Sequence, residues 1–318
     1  MLAGCEGPAN ASANRTFQGQ PPVQVIATVG MVADIVRNVG GDRIAVTQLM
    51  GAGVDPHLYK ATRDDVRAIL AADCVFYAGL MLEGKMSDAL VKVANQKPVF
   101  AVTERIDPSY LIHPEGAAGH ADPHVWMDVS AWSQCVAAVA DALAAFDPAC
   151  AEQYQRNAAV YQRRLADLHG YGQRVLATIP DQSRVLITSH DAFNYFGKAY
   201  GLRVEGVQGL STESEAGLAR VNELVDLLVE NKVEAVFVET SVPRKNIQAL
   251  MDGAASRGQT VRIGGELFSD AMGAEGTYEG TYVGMLDHNI TTVARALGGV
   301  VPPGGFGGKL GAAGREDE

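Results

Sequence analysis

A chain of 318 residues, 47% hydrophobic and 20% charged, has enough apolar surface to offset the conformational entropy of folding. It is long for a single core, so two domains of roughly 100–200 residues are expected. The formal net charge of -11 argues against a protein that grips nucleic acid through a general basic face, because such a face must displace counterions from phosphates.

Four cysteines, Cys5, Cys74, Cys135 and Cys150, contain no Cys-x-x-Cys pair, so a thiolate zinc site has no support. No apolar stretch approaches the roughly 20 residues of a membrane span. The start, Met1-Leu-Ala-Gly-Cys5, resembles a lipobox, in which the cysteine becomes a lipidated N-terminus, although the charged and apolar parts of a signal peptide are missing. Residues 1–22 therefore read as a flexible tether with a candidate anchor at Cys5, rich in Ala, Asn, Gln, Gly and Pro.

The fold is expected to begin with a strand at 23–28 and a helix at 31–39, stopped by Gly40-Gly41. Strands at 44–49, 74–78 and 99–102 then alternate with helices at 62–72 and 83–95. Such alternation implies parallel pairing with right-handed crossovers, hence an α/β lobe over 23–147. A helical stretch from 131 to about 179 is interrupted at Asp147-Pro148, where Asp caps and Pro opens a new helix. Residues 148–179 would span about 45 Å at 1.5 Å per residue, weakened near Gly170 and Gly172, and read as an interdomain backbone.

Alternation resumes over 180–298, with strands at 184–188, 203–207, 235–238 and 260–264 and helices at 193–200, 215–230, 244–257 and 280–297. The glycine-rich, aperiodic 299–318 reads as a disordered tail. Its Gly-Gly-Lys309 lacks the spacing and the Ser or Thr of a phosphate-binding loop.

Of seven histidines, three lie just after expected strands or in the loops between strand and helix, where ligands bind in parallel α/β sheets. His57 and His124 both stand in Asp-Pro-His, a stiff turn that lowers the ordering cost of coordination. His190 follows the strand ending at Thr188, and Asp270 follows the last strand. Three imidazoles and a carboxylate suit Zn²⁺, accept Mn²⁺ and fit Ca²⁺ or Mg²⁺ poorly.

The segments Gly53-Val-Asp-Pro-His57-Leu-Tyr59, Asp122-Pro-His124-Val-Trp-Met-Asp128, Thr188-Ser-His190-Asp-Ala-Phe-Asn-Tyr-Phe196 and Leu267-Phe-Ser-Asp270 carry a family resemblance. The chain is similar to the cluster A-I solute-binding proteins of metal importers, over roughly 23–297. That resemblance implies two Rossmann-like α/β lobes with parallel sheets, joined by one long rigid helix, and a metal in the interlobe cleft. It implies His57, His124, His190 and Asp270 as ligands, two per lobe, with Zn²⁺ or Mn²⁺ as the transported ion rather than a resident cofactor. Members favouring Mn²⁺ often have Glu at the third position, so His190 is closer to members associated with Zn²⁺ or both metals.

The implied partners are the divalent ion and an ABC transporter permease, with the membrane reached only through a lipid anchor at Cys5. A monomer in the periplasm or at an extracytoplasmic membrane surface is expected, with no nucleic acid and no enzymatic activity. The linker helix should limit closure, and affinity should fall below about pH 6.5, where imidazoles protonate.

His113 and His120 read as solvated loop residues, and His169 and His288 as ordinary helix residues. Asp128 and Asp191 are candidate partners for ligand imidazoles, with helix capping the simpler role for Asp191. One alternative is a zinc hydrolase, disfavoured because four protein ligands leave no open position and no His-Glu-x-x-His pair is present. Another is a surface adhesin in which metal is incidental.

Overall fold

The computed structural model describes residues 15–114 and 119–311, so Cys5 and the outer parts of the expected tether and tail lie outside the described residues. Strand β1 (Val23–Ala27) pairs in parallel with β2 (Ile44–Gln48) and β3 (Cys74–Tyr77), and β3 pairs with β4 (Val99–Ala101), in the order β2-β1-β3-β4. The central strand is buried at four of five positions because helices cover both sheet faces. Those helices include α1 (Gly30–Gly40), α2 (Arg63–Ala71) and α3 (Ser87–Ala94). A capping box opens α2: Thr62 Oγ1 accepts from the Asp65 N–H while the Asp65 carboxylate accepts from the Thr62 N–H.

Helix α4 (Val129–Phe146) is apolar on most of its circumference because it lies in the core against α1 and the long α5 (Ala151–Leu176). Pro148 opens a single 3₁₀ turn before α5, so the continuous helix is shorter than expected, 26 residues or about 39 Å. Tyr154, Ala158, Tyr161, Leu165, Leu168, Tyr171 and Val175 recur at three- and four-residue intervals and form its buried stripe.

The first half of α5 is tied to the N-terminal lobe. Asn157 donates to the Val39 carbonyl at 2.9 Å and the Tyr161 hydroxyl to Asp34. The second half meets the other lobe, where the Tyr171 hydroxyl lies 2.8 Å from Thr291 Oγ1. The helix runs unbroken through Gly170 and Gly172. At Gly172 a methyl group would sit 2.9 Å from Tyr200 Cε1 and 3.0 Å from Ile290 Cδ1, so the glycine permits close packing where it weakens helix propensity.

In the C-terminal half, β5 (Val185–His190) pairs in parallel with β6 (Arg203–Gln208), and β7 (Ala235–Glu239) with β8 (Arg262–Leu267), with β5 lying beside β7. Helices α6 (Asn194–Tyr200), α7 (Leu218–Glu230), α8 (Lys245–Ser256) and α9 (Tyr282–Ala296) surround them. Leu224, Leu228, Ile247 and Leu250 build a small core with Ile187 and Val236. Helix α9 belongs instead to the larger core shared with α1, α4 and α5. At its start the Tyr282 N–H donates to Asp34 Oδ1 at 3.0 Å and its hydroxyl to the Trp126 carbonyl at 2.7 Å. The lobes are thus joined at α9 as well as through α5.

Two sequence expectations need correction. Residues 299–311 are folded against the body: the Val300 N–H donates to Thr178 Oγ1 and the Phe306 N–H to Asp287 Oδ1, both at 2.7 Å, and the Phe306 ring lies 5.5 Å from Tyr171. Gly304, Gly305, Gly307 and Gly308 have φ near +70°, so the glycines that suggested disorder build turns. The tether also docks before residue 22, since the Phe17 N–H donates to the Phe146 carbonyl at 2.6 Å.

Candidate metal centre

The two Asp-Pro-His turns are built alike. Asp55 Oδ1 accepts the His57 N–H at 2.8 Å, and Asp122 Oδ1 accepts the His124 N–H at 2.9 Å. In each, the aspartate closes a short loop on its own backbone and the intervening proline stiffens it. His190 is the last residue of β5, and Asp270 stands three residues beyond the end of β8. Strand carboxyl ends and stiff turns therefore deliver all four side chains to one point between the lobes.

There, one ligand atom from each of His57, His124, His190 and Asp270 lies within 4.8 Å of the others, all four residues being buried. His57 Nε2 is 3.3 Å from His124 Nε2. Asp270 Oδ1 lies 3.3 Å from His124 Nε2, and its Oδ2 lies 3.2 Å from His190 Nε2 and 3.8 Å from His57 Nε2. His190 Nε2 and both Asp270 oxygens are buried without a well-formed hydrogen bond among the described residues. Orphaned buried acceptors of this kind are costly unless a cation completes them.

Two further carboxylates orient the rings. His124 Nδ1 lies 2.7 Å from Asp122 Oδ1, and His190 Nδ1 lies 2.5 Å from Glu239 Oε2, while Glu239 Oε1 also accepts the His190 N–H at 2.9 Å. With the Nδ1 protons held there, a ring that gives up its other proton turns its Nε2 lone pair to the centre, the tautomer a metal needs.

Protonation follows from the same neighbours. Burial disfavours a charged His124, but Asp122 and Asp270 outweigh it and push the imidazole up to about 9. The same opposition, with Glu239 and Asp270 prevailing over burial, raises His190 well above its ordinary value. Burial brings His57 down to about 4, with Asp270 opposing and the neighbouring imidazoles reinforcing it. Burial would raise Asp270, yet the imidazoles hold it well below the usual carboxylate range. A divalent cation that displaces the Nε2 protons of His124 and His190 takes the place of their positive charge beside the buried Asp122, Glu239 and Asp270.

The other histidines lie apart from this cluster. His113 and His120 are exposed, His288 Nε2 bonds the Glu266 carbonyl at 2.9 Å, and His169 lies between Tyr200 and Asp128. Asp128 does not hold a ligand imidazole: it caps α4, accepting the Ser130 N–H at 2.8 Å, and takes the Tyr110 hydroxyl. Asp191 does not cap α6, which opens at Phe193 without a side-chain cap, and the Asn194 amide donates to Asp122 Oδ2 at 3.1 Å. The orienting carboxylates, Asp122 and Glu239, escaped the sequence reading. Asp122 carried a signal, being the first residue of the Asp-Pro-His turn, whereas Glu239 was marked only as an acid closing a buried strand.

A model of the family described as zinc-uptake complex component A, periplasmic, matches residues 25–296. The manganese-binding lipoprotein MntA of Bacillus subtilis is 48% identical over 296 residues, which cover 93% of this chain and 95% of that protein. The zinc-binding protein TroA of Treponema pallidum is 46% identical over 273 residues, covering 86% of this chain and 88% of that protein. The solved structure of the periplasmic zinc-binding protein TroA from Treponema pallidum, 45% identical, matches with a TM-score of 0.84 over 87% of this chain and 99% of that one.

Proposed function

The chain belongs to the periplasmic zinc-uptake component A family, and from that premise we propose that His57, His124, His190 and Asp270 hold Zn²⁺ or Mn²⁺ as cargo. As a solute-binding protein of an ABC-type metal importer, it works on the extracytoplasmic side of the membrane and passes the ion to a permease. The single observation that carries the ligand assignment is the convergence of four buried donor atoms within 4.8 Å of one another.

The donor set explains both cargo ions. Three imidazoles with a carboxylate make a borderline-soft shell suited to Zn²⁺. Both Asp270 oxygens face the imidazoles, so the carboxylate is turned to bind through one or both, and the second oxygen raises the coordination number toward the preference of Mn²⁺. Four protein donors also leave no position for an activated water, which favours carriage over hydrolysis. We place the protein as a monomer whose tether ends in a lipid anchor at Cys5.

Titration of metal-free protein against a chelator tests the assignment. One ion per chain is expected for Zn²⁺ and for Mn²⁺, with binding abolished in His124→Ala and His190→Ala and both variants still folded. A wild-type chain that binds neither ion overturns the reading, and a bound ion unaffected by either substitution overturns the ligand set.

A further inference from the structure

We propose that Thr212 and Glu213 form a strap across the cleft that sets how fast the cargo ion leaves, acting on the turn of His57 through Asp55. This rests on His57 being a cargo ligand. The loop 209–217 leaves β6 at Gln208, which is paired in register with His190, and leads into α7. Gln208 Nε2 holds the loop by donating to the Ser214 carbonyl at 3.0 Å. From this anchor the loop reaches the opposite lobe twice. The Thr212 hydroxyl donates to Asp55 Oδ2 at 2.5 Å, and the Glu213 carboxylate lies 3.4 Å from Lys85 Nζ.

Asp55 is what couples these contacts to the site. Its Oδ1 accepts the His57 N–H, and its Oδ2 accepts from Thr212, so one carboxylate ties the turn of one ligand to a hydroxyl of the other lobe. His57 is also the least buried of the four candidate ligands, 5% exposed against 1% or less for the others. Departure of the ion by the shortest way to solvent therefore moves the His57 turn, and that movement strains the bond to Thr212.

The two contacts differ in weight. A hydroxyl donating to a carboxylate is a charge-assisted bond of the stronger kind. The Lys85–Glu213 pair is 31% and 49% exposed, so solvent and salt screen it. Thr212 is thus the main fastening, with Glu213 trimming it in a salt-dependent way. Both contacts bridge the lobes across the cleft, so their loss should speed release more than it changes capture.

Stopped-flow release measures this. Wild-type, Thr212→Val and Thr212→Ser proteins are loaded with Zn²⁺ and mixed with excess chelator, and capture is measured separately on the metal-free forms. Thr212→Val keeps the branched shape but loses the hydroxyl and should release Zn²⁺ roughly tenfold faster at a near-constant capture rate. Thr212→Ser should release like the wild type. Glu213→Lys should speed release at low salt, and adding Lys85→Glu to it should restore the slower rate.

Thr212→Val releasing at the wild-type rate overturns the strap while leaving the cargo site intact. Thr212→Ser releasing as fast as Thr212→Val also overturns it, since the hydroxyl would then not be the operative group. A wild-type chain that takes up no Zn²⁺ overturns the cargo reading and the strap together.

Discussion

Replacing Glu239 with Gln keeps the shape of the side chain but removes one of two acceptors that His190 requires. Glu239 accepts the His190 N–H at 2.9 Å and faces Nδ1 at 2.5 Å, both in a fully buried setting. An amide offers one oxygen and one NH₂ in those two places. If the oxygen faces Nδ1, the NH₂ confronts the backbone N–H, and a buried donor is left unsatisfied. If the NH₂ faces Nδ1, the ring must switch tautomer and turn a proton toward the ion. Either arrangement costs about 1–3 kcal/mol, and each 1.4 kcal/mol is a factor of ten in affinity, so Zn²⁺ binding should weaken roughly tenfold to a hundredfold. Chelator competition on the purified variant reads this directly, with circular dichroism of the metal-free form confirming the fold. An affinity within about twofold of wild type, well short of that range, would refute the orienting role of Glu239.

Zn²⁺ should raise the unfolding temperature, because it binds the assembled site; at a free concentration a thousandfold above Kd the gain is about 4 kcal/mol, seen as a scanning-calorimetry shift lost in His190→Ala. The Arg43 guanidinium, bonded to Asp147 at 2.8 and 3.0 Å, holds that carboxyl below its ordinary range, with the Tyr154 hydroxyl adding to it. The folded-state value is depressed, so this stabilisation is complete above the unfolded value of about 3.9 and is lost as pH falls through the lower folded one. Arg43→Ala should destabilise the protein by about 2 kcal/mol at pH 7, less than for a fully buried pair because Arg43 is 21% exposed, and flatten the acid limb of the urea-denaturation profile. Gly172→Ala should lower stability by about 1 kcal/mol in the same assay, the contacts with Tyr200 and Ile290 outweighing the gain in helix propensity; a stabilised variant would show that α5 can move away.

How much of this was legible in the sequence depended on whether the signal was local. The order of strands and helices followed from period and punctuation, because each element buries its own apolar face. His57 and His124 were legible because their Asp-Pro-His turns are contiguous in sequence, and His190 because it follows directly on an expected strand. Glu239 was not, since its role exists only where β7 lies beside β5 and brings it against His190. The capping role of Asp128 was missed for the opposite reason: its place near His124 in sequence suggested an imidazole partner, yet Ser130 and Tyr110 take its oxygens. Thr212 likewise becomes informative only when the lobes face each other and Asp55 comes within reach. At the C-terminal end, composition suggested disorder because turn-forming and disorder-promoting glycines look alike until Asp287 and Thr178 supply acceptors for the backbone.

The most direct test of the central claim is a zinc K-edge X-ray absorption spectrum of the Zn²⁺-loaded protein. The account expects nitrogen and oxygen donors at about 2.0–2.2 Å with outer-shell scattering from three imidazoles, losing one imidazole contribution or the bound ion itself in His57→Ala. A shell containing sulfur at about 2.3 Å, or one of oxygen donors alone, would contradict it.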